Sequence, residues 1–126
     1  FKRLPSFMEA RSKVHEFYNE NLKNVNWLDL PLPIAVGCTT SYYFYHIQVK
    51  NGKRDELAKY LRDRGIYTTY RYFPLHRVPG YGVHASCPNA DYAVDNTLCM
   101  PMHQSLSLDD LTLIVDTIKE FGSKYC

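Results

Sequence analysis

The 126-residue sequence is most informative first for what it lacks. No apolar run approaches the ~18 residues that cross a bilayer, and no signal-peptide pattern is visible. Neither Gly-x-Gly-x-x-Gly nor a Walker-type Gly-x4-Gly-Lys-Ser/Thr occurs, and the 6 glycines are scattered, so no phosphate-cradling loop of a known kind is present. Charge of one sign is not in excess: 15 Lys and Arg against 13 Asp and Glu leave a formal +2. That surplus is too small to point to nucleic acid or an anionic membrane as partner. Cysteine is sparse. Cys38, Cys87, Cys99 and Cys126 contain no Cys-x-x-Cys pair, and four is a low count for a disulfide scaffold, which favours reduced thiols in a cytoplasmic protein. No internal repeat or low-complexity segment occurs.

What remains is ordinary for a single globular domain, with 45% hydrophobic and 22% charged residues. A chain of this length buries roughly two-thirds of its unfolded surface and can own a core. Tyrosine is the exception, supplying 11 residues. Tyrosine suits surfaces that are buried at one end and wet at the other.

The pattern along the chain predicts an α+β fold: a small sheet covered by helices on one face. Ser6 and Glu9 fit a capping box ahead of a helix whose apolar stripe is Phe7, Ala10, Val14, Phe17, Tyr18 and Leu22. A connecting stretch over 24–40 could hold a short strand near Ile34–Val36. Residues 41–49, SYYFYHIQV, read as a strand with Tyr43, Tyr45, Ile47 and Val49 on one face. Its second face is also aromatic, which predicts contact with another layer or domain. Asn51-Gly52 marks a turn. A helix with Leu57, Tyr60 and Leu61 buried follows, stopped by Gly65. Ile66–Tyr70 reads as a strand, PNADYAVDN as a short helix opened by Pro88, and Thr97–Met100 as a strand ended by Pro101. Ser107 and Asp110 offer a second capping box. Beyond it Leu108, Leu111, Val115, Ile118 and Phe121 make an amphipathic helix that stops near Gly122.

Chemistry concentrates in residues 67–82, YTTYRYFPLHRVPGYG. No helical period fits them, and a bland loop would use Ser, Asn and Gly instead. Arg71 can pair bidentately with a carboxylate or phosphate. His76 can give or take a proton near neutral pH. Tyr70, Tyr72 and Tyr81 supply flat, hydroxyl-tipped walls. The alternative is that the aromatics pack the loop on the core while the arginines are solvated. His76, His84 and Cys87, or Cys99 and His103, lack the tight ligand pairs of a zinc site, so no metal is expected. Cys99 falls in a predicted buried strand and reads as an inert thiol; Cys87 has no evident orienting carboxylate.

The phrase GIYTTYRYFPLHRVPGY, residues 65–81, resembles the small domain of the DegT/DnrJ/EryC1/StrS sugar aminotransferases. Gly65-Ile66, Thr68 or Thr69, Pro74-Leu75-His76, Pro79 and Tyr81 carry the match. The opening helix with its Arg-x5-Phe-Tyr, the SYYFYHIQV strand, the RDELAKYLRDRG helix and CPNADYAVDNTLCMPMHQSLSLDDL look like the same domain. The resemblance runs from about residue 4 to residue 122 in matching order. Arg77-Val78-Pro79 stands where many members have Leu-Gln-Pro, and Tyr70–Phe73 replaces a commoner Tyr and Pro run. Both point to a substrate other than the commonest hexoses.

The resemblance implies several expectations. Residues 1–126 form the C-terminal small domain of a longer enzyme, like the small domain of fold-type I pyridoxal-phosphate (PLP) transferases. The intact enzyme would move an amino group from glutamate or glutamine to a nucleotide-linked keto-sugar or a keto-cyclitol, as a homodimer. PLP would be bound mainly by the absent large domain. That domain holds the family's PLP lysine, so this fragment alone is expected to be inactive and to contain no catalytic residue. The small domain would form a substrate wall in which His76 and Tyr72 reach the substrate and Arg71 anchors an anion. Tyr70 and Tyr81 are further candidates, while Tyr67 and Phe73 serve packing. Two other readings stay open: a PLP-dependent sugar dehydratase of the same family, and a stand-alone protein-interaction module.

Overall fold

The computed structural model describes residues 2–82 and 85–126. Its elements are helix α1 (Leu4–Leu22), strands β1 (Leu28–Asp29) and β2 (Tyr45–Val49), helices α2 (Arg54–Arg62) and α3 (Pro88–Asn96), strand β3 (Thr97–Met100) and helix α4 (Leu108–Tyr125). Two single-turn 3-10 segments, Leu75–Arg77 and Pro79–Tyr81, lie in the loop before α3.

The sheet is antiparallel with order β1-β2-β3. Register places Leu28 against Val49, Ile47 against Leu98 and Tyr45 against Met100. Partners across a ladder share a face, so these six buried side chains form one apolar surface. It is covered by Val14, Tyr18 and Leu22 of α1, Leu57, Ala58 and Leu61 of α2, and Leu111, Ile114, Val115, Ile118 and Phe121 of α4. A sheet with helices on one face is the predicted α+β architecture.

Several boundaries moved, each for a local reason. α1 starts at Leu4, because Pro5 sits in the first turn where its missing N–H costs nothing. Ser6 is therefore inside the helix and donates to the Arg3 carbonyl at 2.8 Å. Glu9 pairs with Lys13 instead, and the first capping box does not form. The short strand near Ile34–Val36 is absent, and Val36 is fully exposed. The edge strand is Leu28–Asp29, where Leu28 drops into the core beside Val49. β2 begins only at Tyr45, because Tyr42 takes a left-handed φ of 47° that breaks the alternation. Tyr42 turns back onto His15 of α1, with ring centres 5.4 Å apart. The second face of β2, expected to meet another layer, holds half-buried His46 and Gln48. Ile66–Tyr70 makes a single bridge at Thr69 rather than a strand. α4 runs on through Gly122 to Tyr125, and Leu108 stays exposed.

Other local expectations hold. Asn51 and Gly52 both take left-handed φ, 59° and 67°, as a tight I′-like turn needs. Gly65 ends α2 with φ 78° while the Ile66 N–H reaches back to the Leu61 carbonyl. Ser107 Oγ accepts from the Asp110 N–H at 3.1 Å, and Asp110 returns the bond to the Ser107 N–H at 2.9 Å.

Candidate functional site

The candidate loop is built outward from the sheet. Ile66 and Thr68 are buried and point inward, which sends Tyr67 out. Thr69 then joins the free edge of β3 through two backbone bonds to Cys99, 3.1 and 2.8 Å. Past that bridge the chain leaves the sheet, and Tyr70, Arg71, Tyr72 and Phe73 are all exposed. Tyr67 and Phe73, expected to pack, are 69% and 66% exposed.

Tyr70, Arg71 and Tyr72 come together on one groove of about 380 Å³, with Arg54, Arg77 and Asp95 on its other side. Arg54 is a fixed floor. It donates to the Val94 carbonyl at 2.7 Å near the C-terminus of α3, where a cation suits the helix dipole. Its guanidinium lies 4.5 Å from the Tyr70 ring centre. Asp55 Oδ1 stands 2.6 Å from Arg54 Nε but out of line for a hydrogen bond. Arg71 is held differently. Its Nη1 donates to Tyr43 Oη at 3.0 Å and Tyr72 Oη at 3.2 Å. Both are neutral acceptors, so its charge is oriented but not neutralised. Hydrogen bonds to Tyr72 and Tyr43 hold its pKa above the ordinary arginine value.

His76 and Tyr81 do not line this groove. His76 Nε2 bonds Asp91 Oδ1 of α3 at 2.8 Å, and its side chain is 13% exposed. Arg77 reaches the same Asp91 oxygen at 2.5 Å and forks onto Asp95 at 3.1 and 3.2 Å. This network staples the loop to α3. The His76 bond, then Arg77, keeps the Asp91 carboxyl below its ordinary range against the opposing effect of burial. Tyr81 is 65% exposed on the second 3-10 turn.

Arg71 also faces a second cavity, about 290 Å³, shared with Arg11, Tyr43, Phe44, Thr69 and Cys99. Arg11 and Tyr43 were not among the sequence candidates. The signal for Arg11 was available: a charged residue three positions before Val14 on the apolar stripe of α1. Burial pushes the Cys99 thiol up, which agrees with an inert cysteine. A third groove of about 360 Å³, between the end of α2 and the start of α4, is lined chiefly by Ile66, Met102, Leu106, Leu113 and Ile114, with Tyr67 and His103, and holds none of Tyr70, Arg71, Tyr72, His76 and Tyr81. Among the described residues no three His, Cys, Asp or Glu side chains could hold a metal ion, and His84 lies outside those residues. No helix among them is long and apolar enough to cross a membrane.

Residues 1–119 match the DegT/DnrJ/EryC1/StrS aminotransferase family. The chain belongs to this family. It is 35% identical over 119 residues to the dTDP-4-dehydro-2,3,6-trideoxy-D-glucose 4-aminotransferase of Saccharopolyspora spinosa, covering 94% of this chain and 31% of that protein. The crystal structure of the aminotransferase TlmJ from Streptoalloteichus hindustanus superposes with a TM-score of 0.93 at 41% identity, over 98% of this chain and 33% of that one. Spr1654 from Streptococcus pneumoniae, solved in a PLP-form, shares the fold with a TM-score of 0.88 at 21% identity, over 98% of this chain and 33% of that one. The chain thus spans about a third of the length of the family members it matches. No lysine lines either cavity at the candidate residues. This chain's own side chains there do not fit the lysine linkage of PLP, and no chemical step of that cofactor is assigned to them.

Proposed function

We propose that residues 1–126 are the C-terminal small domain of a PLP-dependent aminotransferase, and that they form a wall of its substrate site. The intact enzyme transfers an amino group from glutamate or glutamine to a nucleotide-linked keto-sugar or a keto-cyclitol. It works in the cytoplasm as a homodimer that this domain supports, with PLP held mainly by the large domain of the same chain. The observation that carries this reading is the placement of Tyr70, Arg71 and Tyr72 on one groove in a member of a sugar-aminotransferase family. Arg71 anchors an anionic group, and Tyr70 and Tyr72 offer faces and hydroxyls to a ring. His76, tied to Asp91, serves the wall by holding the loop and keeps its other ring nitrogen for the substrate. Tyr81 lies further out on the same loop.

The test is steady-state kinetics of the full-length, PLP-loaded enzyme with a dTDP-linked keto-sugar and glutamate. Arg71→Ala and Tyr72→Phe should each lower kcat/KM for the sugar by about tenfold or more. Unchanged values in both variants would reject the wall. The isolated 126-residue chain should show no amination.

A further inference from the structure

Arg11 occupies a position that a core-facing helix gives to apolar side chains. It precedes Val14, Tyr18 and Leu22 at helical spacing, and those three are buried. The Tyr18 hydroxyl donates to the Pro101 carbonyl at 2.8 Å. That bond holds the stripe against the end of β3 and brings Arg11 to the cavity beside Thr69 and Cys99. There the Arg11 Nε is buried and has no hydrogen-bond partner among the described residues. A buried, unanswered guanidinium N–H is unfavourable unless something else supplies the acceptor.

The same cavity supplies the second cation. Arg71 lines it, with one nitrogen turned to the neutral oxygens of Tyr43 and Tyr72. No aspartate or glutamate is among the lining residues; the other polar groups there are Tyr43, Tyr67, Thr69 and Cys99. Arg54 and Arg77, on the neighbouring groove, are committed to the Val94 carbonyl and to Asp91 and Asp95. Two guanidinium groups thus face one carboxylate-free space. A single carboxylate is satisfied by one arginine fork, whereas a diphosphate offers enough charge and acceptor oxygens for both.

We propose that Arg11 is a ligand-binding residue, and that Arg11 and Arg71 together grip the diphosphate of a nucleotide-linked substrate in this cavity. The inference rests on the reading of this wall as substrate-facing, and within that reading it selects the nucleotide-linked class over a neutral keto-cyclitol.

The experiment is calorimetric titration of the full-length, PLP-loaded enzyme with inorganic pyrophosphate and with dTDP. Arg11→Ala should weaken both by about tenfold or more, and Arg11→Lys should recover part of the loss as a point charge. Arg62→Ala, exposed at the end of α2, should match the wild type. Should Arg11→Ala fold poorly, phenylglyoxal labelling of the wild-type protein replaces it: pyrophosphate should protect Arg11 and Arg71 from modification. Wild-type dTDP affinity in Arg11→Ala, or labelling of Arg11 that pyrophosphate does not slow, overturns the inference. The wall reading survives that result if Arg71→Ala or Tyr72→Phe still lowers turnover. If none of these variants alters dTDP binding or turnover, both fall. Loss of PLP retention in Arg11→Ala with unchanged dTDP binding would assign the cavity to the cofactor's phosphate and also overturns the inference.

Discussion

The Tyr18 hydroxyl of α1 donates a 2.8 Å hydrogen bond to the carbonyl of Pro101, 83 residues away, just beyond β3. It joins the first helix to the last strand at the edge of the candidate site. Burial pushes the Tyr18 phenol well up, so it stays a donor at every physiological pH. Tyr18→Phe keeps the ring, which packs 4.9 Å from the ring centre of Tyr45, and removes only the bond. The expected cost is about 0.5–1.5 kcal/mol, read as a lower urea midpoint with an unchanged slope.

Gly122 and Trp27 set a second test. A Cβ on Gly122 would clash with the indole Nε1 and lie 2.7 Å from Cε2 of Trp27. In an open helix, Gly→Ala stabilises by up to about 1 kcal/mol. Here overpacking costs about 1–3 kcal/mol, and the indole is braced by Phe121 at 5.8 Å between ring centres. Gly122→Ala is therefore expected to destabilise. Trp27 is the only tryptophan, so a shift in its emission would report the displacement directly; a stabilised protein with unchanged emission would contradict the packing argument.

The loop staple is pH-dependent in a definite direction. Asp91 has a folded pKa below its ordinary value, first through His76. A depressed carboxyl contributes stability that is complete above its unfolded value, about 3.9, and is lost as the pH falls through the lower folded value. As the pH falls below about 4 the wild type should lose stability more steeply than Asp91→Asn. Parallel curves would show that the His76–Asp91 bond carries no linkage.

Arg54 links α2 to the end of α3 through the Val94 carbonyl at 2.7 Å and stacks under Tyr70. Arg54→Met keeps the stem and removes both contacts. Amides in the last turn of α3 should exchange faster, and stability should fall by about 1.5–3 kcal/mol, the range for a charged hydrogen bond. Unaltered exchange in α3 would mean that Arg54 does not hold that helix.

Local rules made much of the fold legible. Pro88 opens α3 because its missing N–H costs nothing in a first helical turn, and Pro101 follows β3 because proline has no N–H with which to extend the ladder to β2. Ser107 and Asp110 form their box because both partners lie within one turn. The failures share a cause: they needed knowledge of what lies alongside. Ser6 and Glu9 have box spacing, yet Pro5 lets α1 begin a turn earlier. Leu28 rather than Ile34 forms the edge strand because only Leu28 meets Val49.

The candidate site divides in the same way. Sequence by itself determined the family, the helix stripes, and the crowding of arginine and tyrosine over 67–82, because residue spacing and motif order are properties of the chain. Tertiary structure alone decided which of those residues act together. The bridge between Thr69 and Cys99 turns Tyr70, Arg71 and Tyr72 onto one groove, and the bond to Asp91 draws His76 away from it. It also brought in Arg11, 60 residues before Arg71 in the numbering of the chain, to share one cavity with it. Contacts across that span depend on how α1 seats against the end of β3, and no local pattern encodes that packing.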